Sequence, residues 1–296
     1  MNEPRLHHVD CLDARGLHRM AWHEWGDPAN PRVVVCVHGL SRQGRDFDTL
    51  ARALAGEFRV VCPDVVGRGH SDRLADPTGY QIPAYVADMV TLLAQLDAGE
   101  LHWVGTSMGG LIGLGLAALA RSPVRSLVLN DVGPVIEAVA LQRIGSYLGQ
   151  ARRFADEQAG ADYLWSISSS FGPHTPAQWL ALSRPQLRPA PDGDGWVQHY
   201  DPAIALPLQA VTPEAAAAGE AFLWHCWDAL RCPVLLLRGA ESDLLSAQTA
   251  QAMTERGPST RLVTFPGVGH APTLVAPEQV AVVRDWLRAQ AGLETG

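Results

Sequence analysis

Ser107 stands at the centre of Gly105-Thr106-Ser107-Met108-Gly109, a G-x-S-x-G pentapeptide. The preceding Leu101-His102-Trp103-Val104 reads as a short buried strand. The apolar stretch 108–120, rich in Ala and Leu, reads as a buried helix. A serine on a sharp turn between strand and helix is pushed outward. Its hydroxyl is exposed, and the backbone N–H groups at the helix start, Met108 first, point at whatever binds there. Small residues at 105, 109 and 110 suit a tight turn whose helix begins against neighbouring strands. Two blander readings compete. Residues 104–120 are a run of 17 uncharged residues, but a bilayer span needs about 20, and the glycines in the run suit a buried core segment. The serine is otherwise a helix N-cap, a common role for this residue.

Serine is a poor nucleophile at its free pKa and needs an adjacent base. The candidate is His270 in Pro266-Gly267-Val268-Gly269-His270-Ala271-Pro272, a loop that follows the last strand-like run. Attack on a carbonyl creates an oxyanion that needs N–H donors. A third group must fix the imidazole tautomer. Of the 11 histidines, His7, His8, His18 and His23 read as surface or strand residues. Asp64 and Asp72 read as turn residues, with Arg68 or Arg73 as partners.

The elements that must position these residues alternate. Strand-like runs occupy 17–25, 33–37, 58–63, 101–104, 126–129, 234–237 and 262–265; helical patterns occupy 47–55, 83–96, 108–121, 247–256 and 277–289. Nearly continuous Val/Leu/Cys strands separated by helices indicate a mostly parallel sheet covered on both faces. The alternation breaks between about 135 and 224, where Gly- and Pro-rich turns join helical stretches with no sheet strand. Residues 135–222 therefore read as an inserted, mainly helical cap, and 1–134 with 223–296 as the core. Trp165, Trp179 and Trp196 in that insertion are candidates to wall an apolar pocket.

The chain resembles the α/β-hydrolase family over nearly its whole length. Four motifs stand in the family's order: Val37-His38-Gly39-Leu40, Cys62-Pro63-Asp64-Val65-Val66-Gly67-Arg68-Gly69-His70-Ser71-Asp72, the serine turn, and the Gly-His loop. The resemblance implies an α/β-hydrolase fold with about eight strands. It implies oxyanion donors at the Leu40 and Met108 N–H groups, with His38 packed and hydrogen-bonded beneath that loop. It also places the third member at Asp243, in Leu237-Arg238-Gly239-Ala240-Glu241-Ser242-Asp243. The order Ser107, Asp243, His270 is the family's. Glu241 is a weaker alternative. Asp131, in Leu129-Asn130-Asp131-Val132-Gly133-Pro134, is a rival, because some members carry the acid there. Arg42 and Arg45 follow the oxyanion loop; they either pair with a carboxylate such as Asp46 or contact a substrate carboxylate. Haloalkane dehalogenases and epoxide hydrolases resemble the chain but carry Asp at the turn, so Ser107 argues against both.

Composition narrows the classes. A formal charge of −8 makes nucleic acid an unsuitable partner. All 23 basic residues are arginine. The start, Met-Asn-Glu-Pro-Arg-Leu-His-His, lacks a signal pattern. Cys36, Cys62 and Cys232 fall in or beside apolar strand-like runs and read as buried hydrophobes, which fits a reducing cytoplasm. No Cys or His spacing suggests a metal site, and the implied triad needs no cofactor. The expected activity is hydrolysis of small to medium carboxylic esters through an acyl-enzyme on Ser107, on small-molecule substrates and away from membranes. A carbon–carbon bond hydrolase of aromatic-ring breakdown, or an amidase or lactonase, would use the same residues. A ligand-binding receptor on this fold is the non-enzymatic alternative.

Overall fold

The computed structural model describes residues 3–293. Met1 and Asn2, at the start of the segment read for a signal pattern, lie outside them. The first half runs β1 (Arg5–Asp13), β2 (Gly16–Trp25), β3 (Arg32–Val37), α1 (Asp48–Leu54), β4 (Arg59–Asp64), α2 (Ile82–Leu96), β5 (Glu100–Thr106), α3 (Met108–Ala117) and β6 (Val124–Asn130). Next come α4 (Ala138–Gly145), β7 (Arg153–Phe154), α5 (Glu157–Ser168), α6 (Pro176–Ser183), β8 (Leu187–Pro189), β9 (Trp196–Gln198), α7 (Ala205–Gln209) and α8 (Pro213–Ala229). The chain closes with β10 (Val234–Gly239), α9 (Ala247–Glu255), β11 (Thr260–Phe265) and α10 (Pro277–Gln290).

Eight strands form one sheet in the order β1-β2-β4-β3-β5-β6-β10-β11. The β1–β2 and β2–β4 pairs are antiparallel and the others parallel. The expected parallel core is present. Strand β1 was not expected from the sequence: Arg5–Asp13 is polar, half-exposed and on the sheet edge, so it has no apolar run to betray it.

Strand β3 shows why the sheet is covered on both faces. Val33, Val35 and Val37 join the core that holds Met89 of α2, Ile112 of α3 and Trp227 of α8. Val34 and Cys36 point the other way, into the core that holds Leu50 of α1 and Val283 of α10. The five residues after half-buried Arg32 are buried on both sides and must all be apolar, and Val-Val-Val-Cys-Val is. Strands β3 and β5 are neighbours, and the chain runs from β3 to β4 on one side and from β5 to β6 on the other. That switch point opens a crevice at the carboxyl ends of β3 and β5. Gly39-Leu40 and Ser107 follow those two ends.

The long stretch between β6 and β10 is not strandless. Strands β7, β8 and β9 form a small antiparallel sheet of their own, against the expectation of helices and turns alone. They are two or three residues long, too short for period-2 patterning to register. The division placed at 222 falls inside α8. Thr212 caps that helix by accepting from Ala215 N–H, and Pro213 begins it. Its first turns are exposed, while Cys226 and Trp227 enter the main core. Among the described residues, no helix is long and apolar enough to cross a membrane.

Candidate active site

Ser107 sits between β5 and α3 with φ +51° and ψ −116°, a left-handed conformation that L-residues seldom adopt. Its carbonyl accepts from Gly110 N–H at 2.8 Å and Leu111 N–H at 3.1 Å, which starts the helix. The turn closes only because its neighbours lack side chains. A Cβ on Gly109 would lie 2.0 Å from the Val37 carbonyl oxygen, and one on Gly105 2.3 Å from that of Gly109. Helix α3 thus begins pressed against the end of β3.

His270 Nε2 lies 3.0 Å from Ser107 Oγ. Its Nδ1 lies 2.8 Å from Asp131 Oδ2. A carboxylate only accepts, so Nδ1 of the neutral ring carries the hydrogen and Nε2 offers its lone pair to the serine hydroxyl. The three groups form one hydrogen-bonded line. The loop that carries His270 is held from two sides. Asn130 Nδ2 donates to the Pro272 carbonyl at 2.7 Å and to Thr106 Oγ1 at 2.9 Å. From the insertion, Ser170 accepts at its carbonyl from Gly269 N–H, and its Oγ donates to the His270 carbonyl at 3.3 Å.

The partner of His270 is therefore Asp131, not Asp243. Asp131 is fully buried at the end of β6 with φ +58°. Gly239 N–H donates to its Oδ1 at 2.9 Å, and Ser242 Oγ donates to Oδ2 at 2.6 Å. The last residue of β10 and the loop after it supply these donors, and the chain then turns away. Asp243 takes Arg143 of α4 instead, accepting from Nε at 2.6 Å and Nη2 at 2.9 Å. Those bonds hold its carboxyl below the usual carboxylate range. Both aspartates follow strands that end at the same sheet edge; which one turns inward was not in the spacing. Arg143, its competing partner, is remote in sequence and was not singled out.

The two expected N–H donors come from differently built places. Met108 is the first residue of α3, where a helix leaves N–H groups unpaired. The Leu40 N–H belongs to the Gly39–Leu40 peptide, which is planar, so holding the Gly39 oxygen sets the N–H direction. Arg42 N–H donates to that oxygen at 3.1 Å, and His38 Nδ1 lies 2.7 Å from it. Val65 N–H donates to His38 Nε2 at 2.9 Å, so Nδ1 carries the hydrogen. Burial pushes the His38 pKa down to about 4, which keeps the ring neutral. Arg68 Nε holds the Leu40 carbonyl from the far side at 2.8 Å.

The two arginines after this loop part company. Arg42 lines the cavity with Ser107, but Asp46 takes its Nε and Nη2, each at 2.7 Å. Arg45 turns outward to Asp48 and Glu3. The tryptophans of the insertion do not wall this cavity either. Trp179 lies behind the wall, in a small core with Phe154, Leu164 and Leu187, and Trp165 and Trp196 pack around it. The wall is formed by Leu40, Tyr147, Leu164, Ile167, Phe171 and Leu182. Away from this site, His18 Nε2 sits 3.0 Å from buried Asp88, with Cys11 alongside. All five cysteines are buried and unpaired.

A model of the α/β hydrolase fold matches residues 32–277. The chain belongs to the α/β-hydrolase family. This α/β hydrolase is 57% identical over 281 residues to a 3-hydroxybutyrate-oligomer hydrolase of Cupriavidus necator, covering 94% of this chain and 96% of that one. It is 30% identical to an esterase of Mycobacterium tuberculosis, over 78% of this chain and 73% of the esterase. The crystal structure of an α/β hydrolase from Novosphingobium aromaticivorans superposes with a TM-score of 0.84 at 38% identity, covering 97% and 99% of the two chains. Family and relatives together make this chain a hydrolase.

Proposed function

We propose that this α/β hydrolase cleaves carboxylic ester bonds in short oligomers of hydroxy acids such as 3-hydroxybutyrate, through an acyl-enzyme on Ser107. The observation that carries the reading is the unbroken line from Ser107 Oγ through His270 to Asp131. The similarity to the 3-hydroxybutyrate-oligomer hydrolase supports the substrate.

In this reading Ser107 Oγ attacks the ester carbonyl carbon and its proton passes to His270 Nε2. The oxyanion receives the Leu40 and Met108 N–H groups. The bond to the alcohol oxygen breaks, and Nε2 gives that oxygen the proton. Water then attacks the acyl carbon and yields a proton to Nε2. The bond to Oγ breaks, the proton returns to Ser107, and the acid leaves. Asp131 holds the Nδ1–H tautomer and stabilises the imidazolium throughout. Residues 135–222 act as the cap: Tyr147, Leu164, Ile167, Phe171 and Leu182 of that segment line the cavity, which suits an enclosed small or medium substrate. Five buried, unpaired cysteines fit a reducing cytoplasm.

An organophosphonate probe tests the mechanism. It should form one adduct, on the peptide containing Ser107, and Ser107→Ala should abolish it. The same substitution should lower turnover of a 3-hydroxybutyrate trimer by about 10⁵–10⁶-fold. Labelling that survives Ser107→Ala would overturn the reading. Rapid cleavage of a ring-fission dienoate with no ester hydrolysis would put carbon–carbon bond hydrolysis in its place.

A further inference from the structure

Arg143 is a cation at the cavity that the hydrolytic line does not use. It comes from α4 and lines the same space as Ser107 and His270. Asp243 grips its guanidinium through Nε and Nη2, so the fork is held in one orientation. Arg143 lines this cavity and Asp243, its counter-ion, does not. Arg42 differs. Its partner Asp46 lines the cavity with it, and the Leu182 carbonyl takes a further N–H at 3.3 Å, so that pair presents a neutral, occupied face.

Two further features point to an anion at Arg143. Tyr147 lines the cavity just beyond α4, where its phenol oxygen accepts from Arg143; burial outweighs the guanidinium and raises its pKa, so the phenol keeps its proton and can donate it to a bound group. Hydrogen bonding to Asp243 raises the Arg143 pKa further, so the cation persists across the pH range of ester hydrolysis. The other flank of Ser107 has the opposite character. There Met108, Leu111, Val132, Leu141, Ile204 and Leu208 line an apolar groove that meets the first space at Ser107, Leu40 and Ile144.

We propose that Arg143, with Tyr147, forms a subsite for a free carboxylate on the ester substrate. This rests on the ester-hydrolase reading above and narrows it: the substrate is a hydroxy-acid ester or short oligoester with an unmasked acid end. The acid end lies towards Arg143 and the aliphatic remainder along the apolar groove. With Nε and Nη2 engaged by Asp243, the Nη1–Nη2 end of the planar guanidinium is the edge that would meet the carboxylate, a geometry a lysine would not offer.

The test compares the linear dimer of 3-hydroxybutyrate with the same dimer masked as its terminal primary amide. The readout is the ratio of kcat/KM for acid over amide. The wild-type ratio should be about 10–100, the usual worth of a hydrogen bond to a charged group. In Arg143→Gln it should fall to within about threefold of one, mainly through KM for the acid. Arg143→Lys should keep part of the preference. Removing Arg143 leaves Asp243 unpaired, so Arg143→Gln with Asp243→Asn is made as well, and it should give the same collapsed ratio in a folded protein. A wild-type ratio near one, or a ratio that survives Arg143→Gln or the double change, overturns the subsite. If the wild type hydrolyses neither dimer and the phosphonate does not label Ser107, the ester-hydrolase reading has failed and the subsite falls with it. Efficient hydrolysis of both dimers alike sinks the subsite alone.

Discussion

Two aspartates stand after adjacent strands, and their surroundings divide the work. Asp131 receives two protein donors besides the imidazole, and Asp243 receives a guanidinium. Asp131→Asn should therefore leave a folded protein with kcat lowered by about 10⁴, because an amide supports the wrong tautomer. Asp243→Asn should lower kcat on a neutral aryl ester by less than about tenfold. If the losses fall the other way round, the acid is not Asp131. His38 offers a pH test at the same scale. Its pKa is about 4 in the folded protein against 6.5 when exposed, so between those values the folded state binds fewer protons than the unfolded one. Stability from this group is complete above about pH 6.5 and is lost as pH falls towards 4, by about 3 kcal/mol in all. Urea unfolding at pH 7 and pH 5 should show part of that loss, and NMR should find the His38 ring still neutral at pH 5. A ring that titrates near 6.5 would remove it from its place beneath Leu40.

The turn between β5 and α3 concentrates strain at one residue and removes side chains from its neighbours. Ser107 holds φ +51°, at a typical cost of about 1–3 kcal/mol. Ser107→Ala keeps that conformation and Ser107→Gly relaxes it, so the glycine variant should melt about 1–3 °C above the alanine one. Both should be inactive. Equal melting temperatures would mean that the turn is not strained. Gly109 makes the opposite case. A methyl there meets the Val37 backbone rather than a movable side chain. Gly109→Ala should cost about 3 kcal/mol or more, read as a lower denaturant midpoint. A change under about 1 kcal/mol would mean that α3 does not press on β3 as described.

Across the whole molecule, cohesion is uneven. Strands β3, β5 and β6 lie in the middle of the sheet, buried on both faces. The insertion holds only a small core of its own, around Trp179 and Leu164, and otherwise leans on the main one through Ala140, Ile144, Leu148 and Ile204. The first half of α8 is exposed. Hydrogen exchange should be slowest in β3, β5 and β6 and fastest over 206–222, with the insertion between. A covalent phosphonate on Ser107 should slow exchange in α4 and α5, which face the same cavity. Uniform exchange across core and insertion would contradict this picture.

Periodicity and turn chemistry are local, and they carried the sheet and the serine turn; the family resemblance added the Gly-His loop and the expectation of an oxyanion donor at Leu40. Those features depend on residues close in sequence: apolar runs long enough to be buried twice, glycines where a turn is tight, and histidine on a loop after a strand. Strand β1 escaped because an edge strand buries little. Strands β7 to β9 escaped because two or three residues make no pattern. The acid lay beyond local signals altogether. Asp131 meets His270 across 139 positions of chain, and Arg143 claims Asp243 across 100. Which carboxylate turns inward is set by donors that arrive from β10 and α4. Only tertiary packing brings those donors together, and it also gave Arg143, unremarkable in the sequence, its place in the cavity that Ser107 lines.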